Sequence, residues 1–351
     1  MSVLCRHFGT CGGCAHQDKP DADYRALKLA LVREALAHHG VAATVEEVVE
    51  VPPATRRRAT FKAKREADGA RLGFHAAKTR DIVDMQECLV LTPALAGLVP
   101  RLREMLTAML KPGEAAELRL TQTDTGADLG LRWKKPNDAP TIAALGRWAE
   151  KLKLARISAH GETVVELAKP QIRLGKATVA LPPETFLQPT AEGVAALQSF
   201  ACETLKGAKR AADLFAGCGT FSFALGEAMR VHAVEFEAAM LAAIAAAAKT
   251  TSGLKPVTTE KRNLFRRPLA EAELNAYDAV CLDPPRAGAL EQSARLAKSK
   301  VAAIAYVSCN AETFARDARL LIDGGYSLKR LVPVDQFLWS NHTELAAAFV
   351  R

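Results

Sequence analysis

The chain has 351 residues, 49% of them hydrophobic, with a formal net charge of +8. That is enough for two domains and a small third one, each with its own core. The basic balance points to a polyanionic partner, nucleic acid first among them, and no run reaches the roughly 18 apolar residues of a membrane span. The sequence opens Met1-Ser2-Val3-Leu4-Cys5-Arg6 without a signal peptide's apolar core, so a cytoplasmic protein is expected, with no membrane and no obligate protein partner evident.

Residues 1–20 are rich in Cys, Gly and His and lack periodicity, as a small metal-held knot would be. Tyr24 to His38 reads as a helix, with Leu27, Leu31 and Ala35 at helical spacing. A strand-like stretch from Val45 to Val51 ends at Pro52-Pro53. In the next strand Arg58, Thr60, Lys62 and Lys64 share one face while Ala59, Phe61 and Ala63 share the other. Such a row of cations reads as a phosphate-contacting face, with a solvated sheet face as the plainer alternative. Gly73–His75 and Ile82–Asp84 read as paired short strands, and 94–110 as an amphipathic helix. Strand-like runs and a helix near 141–151 make an α+β middle region up to about Val179. From 210 onward strands alternate with helices (210–215, 231–235, 277–282, 301–307), and the tail adds strands at 327–333 and 344–350. This is the rhythm of an α/β doubly wound parallel sheet.

Asp213 to Phe221 reads strand, Gly-rich turn, helix. Gly217 and Gly219 let a ligand approach the backbone, and Glu235 closes the next strand 22 positions after Asp213, where an acid can take both hydroxyls of a ribose. The turn Gly217-Cys218-Gly219-Thr220 lacks the third glycine that admits a pyrophosphate, which favours S-adenosylmethionine over a dinucleotide. Asp283-Pro284-Pro285-Arg286 places an acid at the carboxyl end of a central strand. Cys309 follows an apolar strand in the same way, where a cysteine is placed to be a nucleophile.

Taken together, Asp213-Leu214-Phe215-x-Gly217-x-Gly219-x-Phe221, Leu282-Asp283-Pro284-Pro285-Arg286, Ser308-Cys309-Asn310, His342-x-Glu344 and Thr185-Phe186-Leu187-Gln188 resemble the bacterial RNA (uracil-5-)-methyltransferases, in the family's order over 185–351. Cys5-x5-Cys11-x2-Cys14 with Cys88 resembles the iron–sulfur motif of the 23S rRNA members. Some of those carry an N-terminal RNA-binding barrel. Cys5 stands almost first here, so the barrel-free 23S rRNA enzymes are the nearest likeness. Ala311, Thr343, Leu338 and Thr220 depart from residues frequent in the family, and none of them removes a reactive group.

The resemblance implies a class I S-adenosylmethionine-dependent methyltransferase (Rossmann-like) domain over 185–351, an α+β central domain over 91–184, and an iron–sulfur and basic RNA-contacting region over 1–90. It implies methylation of uridine C5 in 23S rRNA, with Cys309 as the nucleophile at C6 and Glu344 as the base. Gln188, Phe215, Thr220, Glu235, Asn263 and Asp283 would contact S-adenosylmethionine. Cys5, Cys11, Cys14 and Cys88 would hold a [4Fe-4S] cluster, with Zn²⁺ as the rival occupant of four thiolates. The alternatives are a tRNA uracil-C5 methyltransferase and, in a different class, a non-catalytic RNA-binding or iron–sulfur sensing protein on a methyltransferase scaffold. Cys202, Cys218 and Cys281 are expected in packing.

Overall fold

A computed structural model describes residues 4–351. Two sheets organise the chain. The larger has eight strands, in the spatial order Val49–Glu50, Ser327–Asp335, Glu344–Val350, Ala303–Ser308, Ala279–Leu282, Arg210–Leu214, Arg230–Glu235 and Val257–Lys261. Every neighbouring pair is parallel except the two made by Glu344–Val350, which runs antiparallel to both its neighbours. Its central strands are buried on both faces, which is why Ala303–Ser308 and Glu344–Leu345-Ala346-Ala347-Ala348-Phe349 read as continuous apolar runs. Helices cover the two faces. Ala311–Asp323 packs Phe314, Ala318 and Leu321 against Tyr306 and Phe349, and Ala191–Thr204 packs Leu197 and Ala201 on the other side. The strand Val257–Lys261 escapes sequence reading because its VTTEK run is polar and half-exposed at the sheet edge.

The smaller sheet has seven strands, ordered Ile82–Asp84, Ala70–His75, Arg58–Arg65, Ala115–Thr123, Gly126–Arg132, Leu154–Ala159 and Glu162–Glu166. The helices Pro93–Met109 and Ala139–Leu152 lay Leu102, Met105, Leu145 and Leu152 against it. The alternation read at Arg58 is present: Ala59, Phe61 and Ala63 are buried, and Thr60 and Lys64 are exposed.

Both expected domain boundaries need correction. The division at 90/91 falls inside this sheet, because Arg58–Arg65 pairs with Ala115–Thr123 over seven residues. At its ends the catalytic unit also gathers earlier segments. The helix Asp21–His38 contributes Val32, Ala35 and Leu36 to the core of the eight-stranded sheet, and the hairpin Gln171–Leu174/Ala177–Ala180 packs beside the Gly-rich turn. The division at 184/185 therefore also falls too late. The row of cations, for its part, is largely neutralised within the sheet. Lys62 pairs with Glu117, Lys64 with Glu66 at 3.7 Å, and the neighbouring Arg119 with Glu184 at 3.1 Å. Arg58, at the start of the same face, lines the cavity described next. No helix among the described residues is long and apolar enough to cross a membrane.

Candidate active site

At the carboxyl edge of the eight-stranded sheet a cavity of about 1070 Å³ collects the ends of its central strands. This is where an open α/β sheet binds ligands, because the chain diverges there to opposite faces. After Leu214 the backbone turns sharply. Phe215 takes φ +61°, a left-handed conformation that strains any residue but glycine, and Gly217 and Gly219 take +55° and +92°. At Gly219 a Cβ would stand 2.6 Å from the Phe223 ring, so the turn needs glycine for space as well as for φ. The turn is tied down by Glu235, whose Oε2 accepts from Gly217 N at 3.0 Å while Oε1 accepts from Phe236 N and Glu237 N. The expected ribose acid thus also braces the glycine turn. Asp213 is fully buried, accepts from Ser222 Oγ at 2.5 Å, and is pushed up to about 7 by that burial.

The other expected cofactor residues surround this turn. Thr220 opens the helix Thr220–Gly226 and its carbonyl accepts from Gln198. Asn263 Oδ1 accepts from Phe265 N and Arg266 N, which leaves its amide hydrogens uncommitted. Phe265 packs on Phe215 with ring centroids 5.4 Å apart, and Phe236 and Phe265 are both about half exposed. Gln188 donates to Asp283 Oδ2 at 2.9 Å. All six expected contacts line the cavity.

Cys309 lies between the strand Ala303–Ser308 and the helix Ala311–Asp323, whose N-terminus Asn310 caps by accepting from Glu312 N and Thr313 N. Burial, then the nearby Glu344 and Asp283 carboxyls, push the Cys309 thiol up to about 11, and Arg286 opposes them. Glu344 is 1% exposed and begins a central strand, not an edge. Burial holds its carboxyl at about 7, against the opposing effects of a hydrogen bond from Gln336 and the Arg58 cation. Asp283 is raised well above the usual range by burial and by Glu344. A half-buried thiol, two carboxyls shifted upward by burial and an arginine therefore share one wall.

Three residues in or behind this wall carry roles beyond those expected for them. The Arg58 guanidinium stacks on Phe186 at 4.0 Å, and Phe186 itself is 58% exposed. Burial and its neighbours Arg56, Arg119 and Arg57 lower Arg58 to about 10. Its destination is invisible in a strand pattern, which gives only the face. Arg286 donates to the His342 ring at 2.7 Å. Gln336, 1% exposed, donates to both Gln188 Oε1 (2.7 Å) and Glu344 Oε2 (3.2 Å). Directly after a strand it reads as the start of a loop, and nothing in the sequence marks it.

The four N-terminal cysteines line the same cavity. Cys5 and Cys11 accept from His7 N and Gly13 N at 3.5 and 3.4 Å, and Cys88 accepts from Val90 N and Leu91 N. Burial, then Cys88, Cys11 and Cys5, push the Cys14 thiol up to about 12, and Gln17 opposes them. Thiols that discourage one another's ionisation this way suit a cationic guest. Among the described residues, no group of three or more His, Cys, Asp and Glu side chains closes on one point as a metal ion's donor set does. The lobe is fastened to the loop before Glu344, where Ala15 N and His16 N donate to Trp339 O at 2.7 and 3.2 Å. The helix Asp21–His38 holds the same loop. Lys28 and Asp335 form a wholly buried ion pair at 2.8 Å, Tyr24 donates to Asp335, and Trp339 N donates to Tyr24.

The strand order, with one antiparallel strand between Ala303–Ser308 and Ser327–Asp335 and a glycine turn after Arg210–Leu214, is the class I methyltransferase fold. The tRNA (uracil-5-)-methyltransferase family model matches residues 171–350, and the chain belongs to that family and is a methyltransferase. An RNA methyltransferase of Caulobacter vibrioides is 42% identical over all of this chain and 86% of its own length. The 23S rRNA (uracil(1939)-C(5))-methyltransferase of Pseudomonas syringae is 35% identical over 98% of this chain and 79% of its own. Among solved structures, the Pyrococcus abyssi tRNA (uracil-54, C5)-methyltransferase in complex with S-adenosyl-L-homocysteine superposes with a TM-score of 0.74 at 22% identity, over all of this chain and 88% of that one.

Proposed function

We propose that this protein transfers a methyl group from S-adenosylmethionine to C5 of a uridine in 23S rRNA, through a covalent adduct between Cys309 and uracil C6. The observation that carries the reading is the convergence of Cys309, Glu344, Asp283 and Arg286 on one cavity wall beside the glycine turn. Uracil C5 is a weak nucleophile. Addition of the Cys309 thiolate to C6 makes an enolate with carbanion character at C5, splitting one hard step into easier ones. The sulfonium supplies an electrophilic methyl. Glu344 then takes the C5 proton, the C6–S bond breaks, and the thiolate and 5-methyluridine are released. With its carboxyl near 7, Glu344 can both accept that proton and return it to water.

A thiol near 11 is protonated at neutral pH. Arg286 and the N-terminus of the helix Ala311–Asp323 are the features that favour its thiolate as the uridine arrives. Gln188, Phe215, Thr220, Glu235, Asn263 and Asp283 are the proposed methyl-donor contacts, with Glu235 toward the ribose and Phe236 and Phe265 offering apolar surface to the adenine. Arg58 on Phe186 is a cationic and aromatic platform suited to an unstacked base.

Cys5, Cys11, Cys14 and Cys88 are proposed to hold a [4Fe-4S] cluster with a structural role, supported by their shared cavity and the backbone N–H groups aimed at their sulfurs. The 23S rRNA assignment rests on these cysteines and on the Pseudomonas syringae relative. Incubation of the protein with S-adenosylmethionine and either 23S rRNA or tRNA, followed by nucleoside mass spectrometry, tests it. 5-Methyluridine in 23S rRNA only is the expected result, and 5-methyluridine in tRNA only would reassign the substrate. Cys309→Ala should abolish the product while keeping cofactor affinity. Wild-type protein should form a denaturation-resistant complex with 5-fluorouridine RNA, because fluorine does not leave as a proton does.

A further inference from the structure

The amides between Asp283 and Glu344 have one consistent polarity. Gln188 Nε2 donates to Asp283 Oδ2, so its Oε1 must accept, and it does so from Gln336 Nε2. The second hydrogen of that Gln336 amide goes to Glu344 Oε2 at 3.2 Å, which uses both its donors. Gln336 Oε1 points the other way and has no hydrogen-bond partner. It lies against the first turn of the helix Ala191–Thr204, where a Cβ on Gly193 would stand 2.4 Å from it. The positive end of that helix is where an oxygen is best placed. Turning the amide over would set its oxygen against Gln188 Oε1 with no proton between them.

We propose that Gln336 is a positioning residue that holds Glu344 Oε2 as a hydrogen-bond acceptor and leaves Oε1 as the oxygen that receives the C5 proton. This rests on Glu344 being the base of the proposed reaction. Oε2 already accepts from Gln336, and Oε1 makes no hydrogen bond among the described residues and is the freer oxygen to take a proton. Through Gln188 and Asp283 the carboxyl's orientation is tied to the methyl-donor side of the cavity, so donor and base are aligned by one buried chain of side chains. The ionisable groups facing Glu344 are Asp283, Arg58 and Cys309, and Gln336 is its neutral donor.

The test uses full-length Gln336→Leu with ordinary uridine RNA and S-adenosylmethionine. Methyl transfer should proceed and release should lag, so a methylated, denaturation-resistant enzyme–RNA adduct accumulates. The acidic limb of the release rate should move up by about one pH unit, the worth of one hydrogen bond to a charged group. Loss of packing alone would not move that limb. Gly193→Ala, which crowds Oε1 of an intact Gln336, should produce the same adduct and shift, and it serves if the leucine variant does not fold. Normal release with an unmoved limb in either folded variant overturns the proposal. Failure of the underlying reading looks different: wild-type protein would form no adduct with 5-fluorouridine RNA, or Glu344→Gln would turn over normally, and the role of Gln336 would fall with it.

Discussion

Glu344→Gln should separate the proposed catalytic role of this carboxyl from its cost to the fold. Glu344 is wholly buried, and its carboxyl stands at about 7 against an ordinary 4.5. At 1.36 kcal/mol per pH unit, ionising it costs about 3 kcal/mol more in the folded protein than in the unfolded chain. The folded state therefore holds the extra proton between these two values. The stability associated with the neutral carboxyl is whole below pH 4.5, declines as pH rises through 7, and is gone above it. Glutamine keeps the shape and an acceptor for Gln336 without the charge. Urea unfolding at pH 8 should find Glu344→Gln more stable than wild type by up to about 3 kcal/mol, with the difference vanishing near pH 4.5. With uridine RNA the same variant should stall as a methylated covalent adduct, and turnover should fall by about 10²–10⁴-fold. A variant destabilised equally at both pH values, and turning over normally, would show that the carboxyl is neither strained nor the base.

Three further outcomes follow from the same geometry. Alkylation of Cys309 by iodoacetamide should rise about tenfold per pH unit from 7 toward 11, and Arg286→Gln should slow it at every pH in that range; a rate already at its plateau at pH 7 would contradict the protonated thiol. Lys28→Met leaves the buried Asp335 without its counter-ion and should cost about 3–5 kcal/mol in chemical denaturation, part of which Asp335→Asn in the same chain should restore. Anaerobically purified protein should be brown with about four irons per chain, and Cys88→Ser should lose iron and soluble yield together. Stoichiometric zinc in fresh colourless protein would replace the cluster with a single ion.

What the sequence made legible was local in the chain. The glycine turn, the acids closing Arg230–Glu235 and Ala279–Leu282, and the cysteine closing Ala303–Ser308 each carry their meaning within a few residues, because a strand end in an open α/β sheet is already a position in space. Arg58 had the right face and the wrong company: alternation says which way a side chain points, but only tertiary structure says that Phe186 and Glu344 wait there. Nothing in its helix pattern marks Lys28, which is fully buried on Asp335, 307 residues away. Gln336 has no pattern to betray it. The boundary placed at 90/91 failed because strand pairing, not composition, decides where a sheet ends.

The loop before Glu344 is gripped by Ala15, His16, Tyr24 and Lys28, and Val49–Glu50 lies beside Ser327–Asp335. The earliest parts of the chain thus secure the latest. During synthesis the helix Asp21–His38 leaves the ribosome with Val32, Ala35 and Leu36 bare, and their partners Phe314, Leu331 and Phe349 do not yet exist. The smaller sheet, complete by Glu166, can form meanwhile. The segment around Glu344 can therefore be secured only after both it and the helix Asp21–His38 have been made. Until then Val32, Ala35 and Leu36 form an apolar face without its native cover.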